Sequence, residues 1–248
     1  MIETGSLIRS LSGRPAARNF HNFVINEIGL SIVTGAFPVG STLSSDQVMM
    51  ETYGVSRTVL REALKTLEAK GLVEARPKVG TRVSPISRWN FFDPQVLSWH
   101  YYAKPDARFY ESLFDVRRSL GTRSASLAAQ RRTADNVRVM KYWLHQIELN
   151  QTNPEGHGLA CLEIHRAIAE ASGNSLLRSV TGVVELTIAL AIKANSSADT
   201  NGYFTHGLLS HHALIAAVEK SDPEAAQDAA SVIINLDNEQ VVRLLTAA

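Results

Sequence analysis

Between residues 44 and 83 the chain reads as two short helices joined by a Tyr53-Gly54-Val55 turn and followed by a small β-hairpin. No other stretch restricts the fold so tightly. Ser44 stands at the N-cap position of the first helix, with Gln47 three residues on completing a capping-box pattern. Gly54 breaks that helix and Ser56 caps the next. On the second helix Leu60, Ala63, Leu64 and Leu67 recur at helical spacing, so this stripe faces a core. Arg57, Thr58, Arg61 and Lys65 fall on the opposite, wet face. Gly71 is placed to end the helix in left-handed backbone. Leu72-Val73-Glu74-Ala75 and Thr81-Arg82-Val83 then read as strands around a basic tip, Pro77-Lys78-Val79-Gly80. The pattern is that of a winged helix-turn-helix, whose second helix enters the major groove and offers its N-terminal residues to base edges. The candidate DNA-contacting residues are Gln47, Ser56, Arg57, Thr58, Arg61 and Lys65, with Lys78 and Gly80 on the wing. A helical hairpin with an incidentally charged face is the plainer alternative. The wing and the clustering of basic and short polar groups at one helix start argue against it.

Net charge over the 248 residues is only +1, which alone speaks against a DNA binder. The distribution changes that. Residues 1–86 carry ten Lys/Arg and seven Asp/Glu (+3), whereas residues 87–248 carry fifteen and seventeen (−2). The basic part is the one that phosphate contact requires. The single cysteine, Cys161, excludes an intramolecular disulfide and fits a reducing cytoplasm. No run of eighteen apolar residues and no basic-then-apolar leader is seen, so a cytoplasmic chain with no membrane contact is expected.

Two domains are expected, the fold being mainly α: a winged helix-turn-helix and then an antiparallel all-helical bundle of six or seven helices. Residues 1–17, with Gly5, Gly13 and Pro15, read as a flexible arm. The DNA-binding domain spans 18–84, its first helix marked by Phe20, Val24, Ile28 and Ile32 and ended by Gly35. Residues 85–93 read as a linker and 94–248 as the bundle. Helical periodicity there falls in 94–102, 106–131, 134–150, 156–172, 175–195, 205–220 and 222–246. Gly173-Asn174 reads as a helix end, and Ser221-Asp222-Pro223-Glu224 as a cap with a first-turn proline.

The run GVSRTVLREALKTLEAKGLVE with VGTRV after it resembles the DNA-binding domain of the GntR superfamily of bacterial transcription regulators. Residues 35–43 resemble the loop before its second helix. One departure stands out. The family usually has Pro-Ser-Glu-Arg where this chain has Ser44-Ser45-Asp46-Gln47, so a common arginine contact is replaced by Gln47, which can bond an adenine edge or a phosphate. The second half is similar to the FCD ligand-sensing domain of the FadR-type branch. The similarity is carried by Leu113-Phe114-Asp115-Val116-Arg117-Arg118, by residues 164–174, and by His212 with Ile215 and Asp222-Pro223-Glu224-Ala225-Ala226. The segment WNFFDPQVLSW, residues 89–99, resembles that of the sugar-acid (galactonate-responsive) repressors of the branch.

The resemblance implies an effector cavity, often holding a divalent metal on one Asp and three His. Here His165 matches the first His, Cys161 stands at the Asp position, and His212 is matched to the second His. Ile233, Ile234 and Asn235 occupy the region of the last ligand. Cys161, His165 and His212 therefore form a reduced candidate set for zinc or another divalent ion; alternatively the two His bond an organic anion directly. Arg117 is the candidate carboxylate receptor, since a guanidinium fork matches a carboxylate bidentately; the alternative is an ion pair with Asp115 or Glu111. Lys193 is a further candidate, or else it complements the C-terminus of its helix. Glu185, alone among apolar neighbours, either accepts from sugar hydroxyls or pairs internally.

The expected function is a homodimeric, ligand-responsive regulator. It would repress aldonate or uronate catabolism genes from a palindromic double-stranded operator and leave it on binding a small carboxylate. Two alternatives stand beside this: a metal-dependent hydrolase using the His/Cys cluster, and a regulator sensing another organic or acyl acid. Against an enzyme, the chain shows no paired nucleophile and base, no Gly-rich phosphate loop and no HExxH helix.

Overall fold

The computed structural model describes residues 6–9, 20–104, 106–195 and 202–246. It divides the chain into two compact units. One spans residues 15–104; the other joins the N-terminal residues 1–14 to residues 105–248.

In the first unit, α2 (Phe20–Val33) buries Val24, Ile25, Ile28 and Ile32, while Phe20 stays exposed. The pair α3 (Asp46–Tyr53) and α4 (Arg57–Ala69) packs on it. Ser45, not Ser44, caps α3, accepting the Val48 N–H at 3.4 Å, and Gln47 bonds Glu51 instead of closing a capping box. Gly54 ends α3 in left-handed backbone. Leu60, Ala63 and Leu67 are the buried face of α4. Strands β1 (Val73–Arg76) and β2 (Gly80–Val83) pair antiparallel, with Val73 opposite Val83 and Arg76 opposite Gly80. The 40–43 segment adds to the free edge of β2 through Gly40 N–H to Val83 O, Val83 N–H to Ser41 O and Leu43 N–H to Thr81 O.

The expected boundary after residue 84 moves. The chain turns back over the end of α4, where Gly71 has φ +79° and a Cβ would lie 2.0 Å from the Arg88 carbonyl oxygen. No other residue fits both the angle and the approach. Trp89 is buried in the core, the Asn90 N–H bonds Lys70 O, and Lys70 Nζ meets Asp93 at 2.6 Å. Asp93 then caps α5 (Pro94–His100), with Pro94 in the first turn. Trp99 of α5 packs flat on α2 at Gly29, where an added Cβ would lie 2.3 Å from the ring, and its indole N–H bonds Asn26. Residues 85–100 are thus part of the first unit, because two tryptophans there are buried in its core rather than left in water.

The second unit comprises α1 (Ser6–Arg9), α6 (Ala107–Arg131), α7 (Ala134–Leu149), α8 (Pro154–Ala171), α9 (Ser175–Arg178), α10 (Thr181–Ala194), α11 (Tyr203–Glu219) and α12 (Pro223–Thr246). Sequence capping signals hold it in register. Thr133 and Asn136 form a capping box, Asn153 precedes Pro154, and Asp222 accepts the Ala225 N–H. The expected 175–195 helix is broken, since Ser179 Oγ bonds Ser175 O and Thr181 Oγ1 bonds Arg178 O. Residues 175–194 are apolar enough for a membrane span by composition. They pack instead against α6, α8 and α12. Of the expected N-terminal arm, only 6–9 falls within the described residues. There Leu7 and Ile8 are buried, and α1 packs on α8 and α10.

Candidate nucleic-acid interface and ligand cavity

Amphipathicity fixes what α4 shows to solvent. With Leu60, Ala63 and Leu67 inward, Arg57, Arg61 and Lys65 recur every four residues on the outside, and Thr58 lies beside them, all exposed. Ser56 is occupied as N-cap, accepting the Val59 N–H at 3.4 Å. Arg61 Nε lies 3.7 Å from Asp46 on α3, a partner that sequence reasoning missed, and Lys65 pairs with Glu62 at 2.9 Å. Gln47 is exposed on α3. On the wing, Lys78 is exposed at φ +64°, two residues before Gly80 at φ +104°. Arg82 does not project: its Nε bonds Gly40 O at 2.6 Å and pins the loop before α3 to β2. The arrangement offers a row of cations and short donors on one helix and a cation on a hairpin tip, as a groove with a phosphate rim demands.

In the second unit a polar core lies where α6, α8, α10, α11 and α12 meet. Arg117 is 2% exposed. Its Nη1 donates to Val184 O at 3.0 Å and to Thr187 Oγ1, and its Nη2 to His165 Nε2 at 3.4 Å and Asp237 Oδ2 at 3.2 Å. Asp237 also accepts the Tyr203 hydroxyl at 2.8 Å. Neither Asp115 nor Glu111 pairs with Arg117; the partner is Asp237. Burial pushes the Asp237 carboxyl up, and Arg117 pulls against it.

The His212 expectation fails by one residue. His212 side-chain atoms are 48% exposed and bond Glu148 at 3.0 Å, whereas His211 is buried beside His165, the ring centres 5.6 Å apart. Adjacent helical residues differ by about 100° in direction, so only one can face inward. Cys161, His165 and His212 therefore do not assemble, and no group of three His, Cys, Asp or Glu suited to a metal occurs among the described residues. The Cys161 thiol is buried and its ionisation pushed well up, so it is a thiol and not a thiolate. Lys193 sits in the last turn of α10, exposed and outside the cavity lining. Glu185 is buried and accepts the N–H groups of Leu7, at 2.8 Å, and Ile8.

Three imidazoles face this core. Burial and the neighbouring His211 push His157 down to about 3; burial, with Arg117 and His212 adding, takes His211 to about 4; burial and Arg117 hold His165 well below its usual value. All are neutral near pH 7. The Gly207 carbonyl oxygen can only accept, so His211 Nδ1 carries the proton in their 2.7 Å bond. His211 Nε2 and His157 Nδ1 are buried with no hydrogen-bond partner. The His211 Nε2 lone pair so placed suits a ligand hydroxyl, and His157 Nδ1 offers a second polar partner.

Two cavities share His165 in their walls, and Arg117 lines the larger. One, of about 10 Å³, is lined by His157, Cys161, Tyr203, His211 and Asp237; the other, of about 30 Å³, by Leu120, Ile168, Leu177, Val180 and Val184. Each is no larger than a water or so. A six-carbon acid enters only by moving these side chains.

Residues 21–83 match the family of bacterial regulatory proteins, gntR family, and residues 112–236 match the FCD domain. The galactonate operon transcriptional repressor of Escherichia coli K12 is 26% identical over 211 residues, covering 85% of this chain and 92% of the relative. The Uxu operon transcriptional regulator of the same strain is 30% identical over 210 residues, covering 79% and 76%. The solved structure of Lar of Listeria monocytogenes aligns with a TM-score of 0.67 at 16% identity, over 92% of this chain and 99% of that one, a likeness of fold alone.

Proposed function

Since the chain belongs to the bacterial gntR family of regulators and carries its FCD domain, we propose that it represses sugar-acid catabolism genes and leaves its operator when a small carboxylate fills the bundle cavity. The observation that carries this is the pairing of an exposed cationic recognition helix in one unit with a buried Arg117, hydroxyl and imidazole cluster in the other. Arg57, Thr58, Arg61 and Lys65, with Gln47, Lys78 and the wing around Gly80, supply DNA contacts; Ser56 sets the helix start. Arg117 takes the acid, His211 accepts from one of its hydroxyls through Nε2, and His165 and His157 line the space beside it. The relatives named for galactonate and Uxu operons support aldonates and uronates as the first ligands to try.

The working form is a homodimer in the cytoplasm on a palindromic site, because one recognition helix covers too few base pairs for useful specificity. A hydrolase built on a His/Cys metal cluster loses its basis with His212 outside. The apolar chamber beside Arg117 favours, as a second reading, an acid with a hydrocarbon end.

The test is fluorescence anisotropy on DNA from upstream of the protein's own gene, titrated with aldonates, uronates and short acyl acids. Release by one acid, and loss of binding in Arg61→Ala with a shallower salt dependence, support the reading. Binding untouched by Arg61→Ala removes α4 from the groove. Sedimentation at the 27.1 kDa chain mass with full operator affinity removes the dimer.

A further inference from the structure

A carboxylate receptor buried in an apolar bundle must answer a simple question: what neutralises it before the ligand arrives? Here both terminal nitrogens of Arg117 are already engaged, Nη1 by Val184 O and Thr187, Nη2 by His165 and Asp237. We propose that Asp237 is a resident stand-in for the effector's carboxylate: it holds the Arg117 fork in the structure described, and the incoming acid takes its place. The inference rests on the reading of the bundle as an acid sensor.

Three observations point the same way. Asp237 meets Arg117 through one oxygen and one nitrogen at 3.2 Å, so the pair is monodentate, and a free carboxylate able to align both oxygens makes the stronger contact. The cavity on the Asp237 side is about 10 Å³, which leaves no room for a second carboxylate beside the first. The charge balance is closed as well. Arg117 and Asp237 cancel and the three imidazoles are neutral, so an added anion with Asp237 still in place would be buried uncompensated. Exchange with proton uptake is the solution that keeps the core neutral: the acid's carboxylate takes the guanidinium, and Asp237, whose carboxyl burial already pushes up, takes a proton as it is released.

The exchange has a built-in consequence. Asp237 lies on α12 and bonds at once to α6 through Arg117 and to α11 through Tyr203. Displacing that one carboxylate unties three helices at a single point, which is the differential contact a ligand needs in order to shift one conformation to another.

The experiment uses sodium formate, a carboxylate small enough for the space a truncated Asp237 leaves. Full-length Asp237→Ala, wild type and the double variant Arg117→Met/Asp237→Ala are melted with formate and with sodium chloride of equal ionic strength. Formate raises the midpoint of Asp237→Ala by about 2–4 °C beyond chloride and leaves the other two unmoved. An Asp237→Ala chain indifferent to formate, or a double variant that responds equally, overturns the proposal. Should Asp237→Ala not fold, Asp237→Ser retains an acceptor for Tyr203 and is read by the same criterion. Operator release by sugar acids is scored separately. A chain that seats formate at Arg117 but ignores every sugar acid refutes the sensor reading and not the seat.

Discussion

Arg117→Met keeps most of the aliphatic stem and deletes the guanidinium, leaving Asp237 buried with only the Tyr203 hydroxyl. Breaking one side of a buried ion pair costs about 3–5 kcal/mol, a large part of the roughly 5–15 kcal/mol that holds a typical domain. The variant is expected to fold with its midpoint lowered by roughly 6–20 °C. Asp237→Asn keeps an acceptor for Tyr203 and strands the guanidinium instead, with a loss of similar size. The double variant Arg117→Met/Asp237→Asn contains no stranded charge, so its loss falls short of the sum by about 2–3 kcal/mol. Urea unfolding followed by circular dichroism on the four chains measures this coupling. The pH dependence gives a second handle. Without Arg117, burial holds the Asp237 carboxyl above its unfolded value of about 3.9, so below that pH both states are neutral and the deficit is small. It grows as pH rises through the unfolded value towards the folded one. Losses that add to within about 0.5 kcal/mol, or a deficit flat in pH, would show that the two side chains do not share a bond.

Other consequences are as direct. Gly29→Ala gains about 1 kcal/mol of helix propensity but drives a methyl to 2.3 Å from Trp99, so a net loss of about 1–3 kcal/mol is expected, recovered in Gly29→Ala/Trp99→Leu; equal or higher stability of the single variant in urea refutes the packing. His157 and His211 titrate in the folded bundle at about 3 and 4, against about 6.5 unfolded. Their stability contribution is complete above about pH 6.5 and is lost as pH falls towards those values, on the order of a few kcal/mol, and His211→Gln should flatten that limb of the stability–pH curve. Asp46→Asn frees Arg61 from its 3.7 Å partner and removes a negative charge near the phosphates, so DNA affinity by anisotropy should rise roughly two- to fivefold; a fall would mean that Asp46 positions Arg61 for contact.

The recognition helix was legible because period and caps agree, with apolar residues at 60, 63 and 67 and a serine before the first turn. The polar core was half legible. Arg117 and His165 were found through resemblance, but Asp237 was not, although its position carries a signal. It falls at helical spacing among Ala230, Ile233, Ile234 and Val241, so an aspartate stands on the buried stripe of α12. The same reading of α11, with Gly207, Leu214, Ile215 and Val218 inward, selects His211 over His212. The boundary at 84 was missed for another reason. Pro85 and Asp93-Pro94 punctuate the chain like a linker, while the area that Trp89 and Trp99 must hide outweighs that punctuation.

Those two indoles also give the chain a built-in optical label. Of its three tryptophans, Trp89 and Trp99 are buried in the unit that carries the recognition helix, and Trp143 is half-buried on α7. No indole lines either cavity beside His165. In a Trp143→Phe chain every photon of tryptophan emission therefore originates in the core of the first unit. An acid that shifts that spectrum has altered the DNA-binding unit itself, and it announces the signal's arrival without any attached dye.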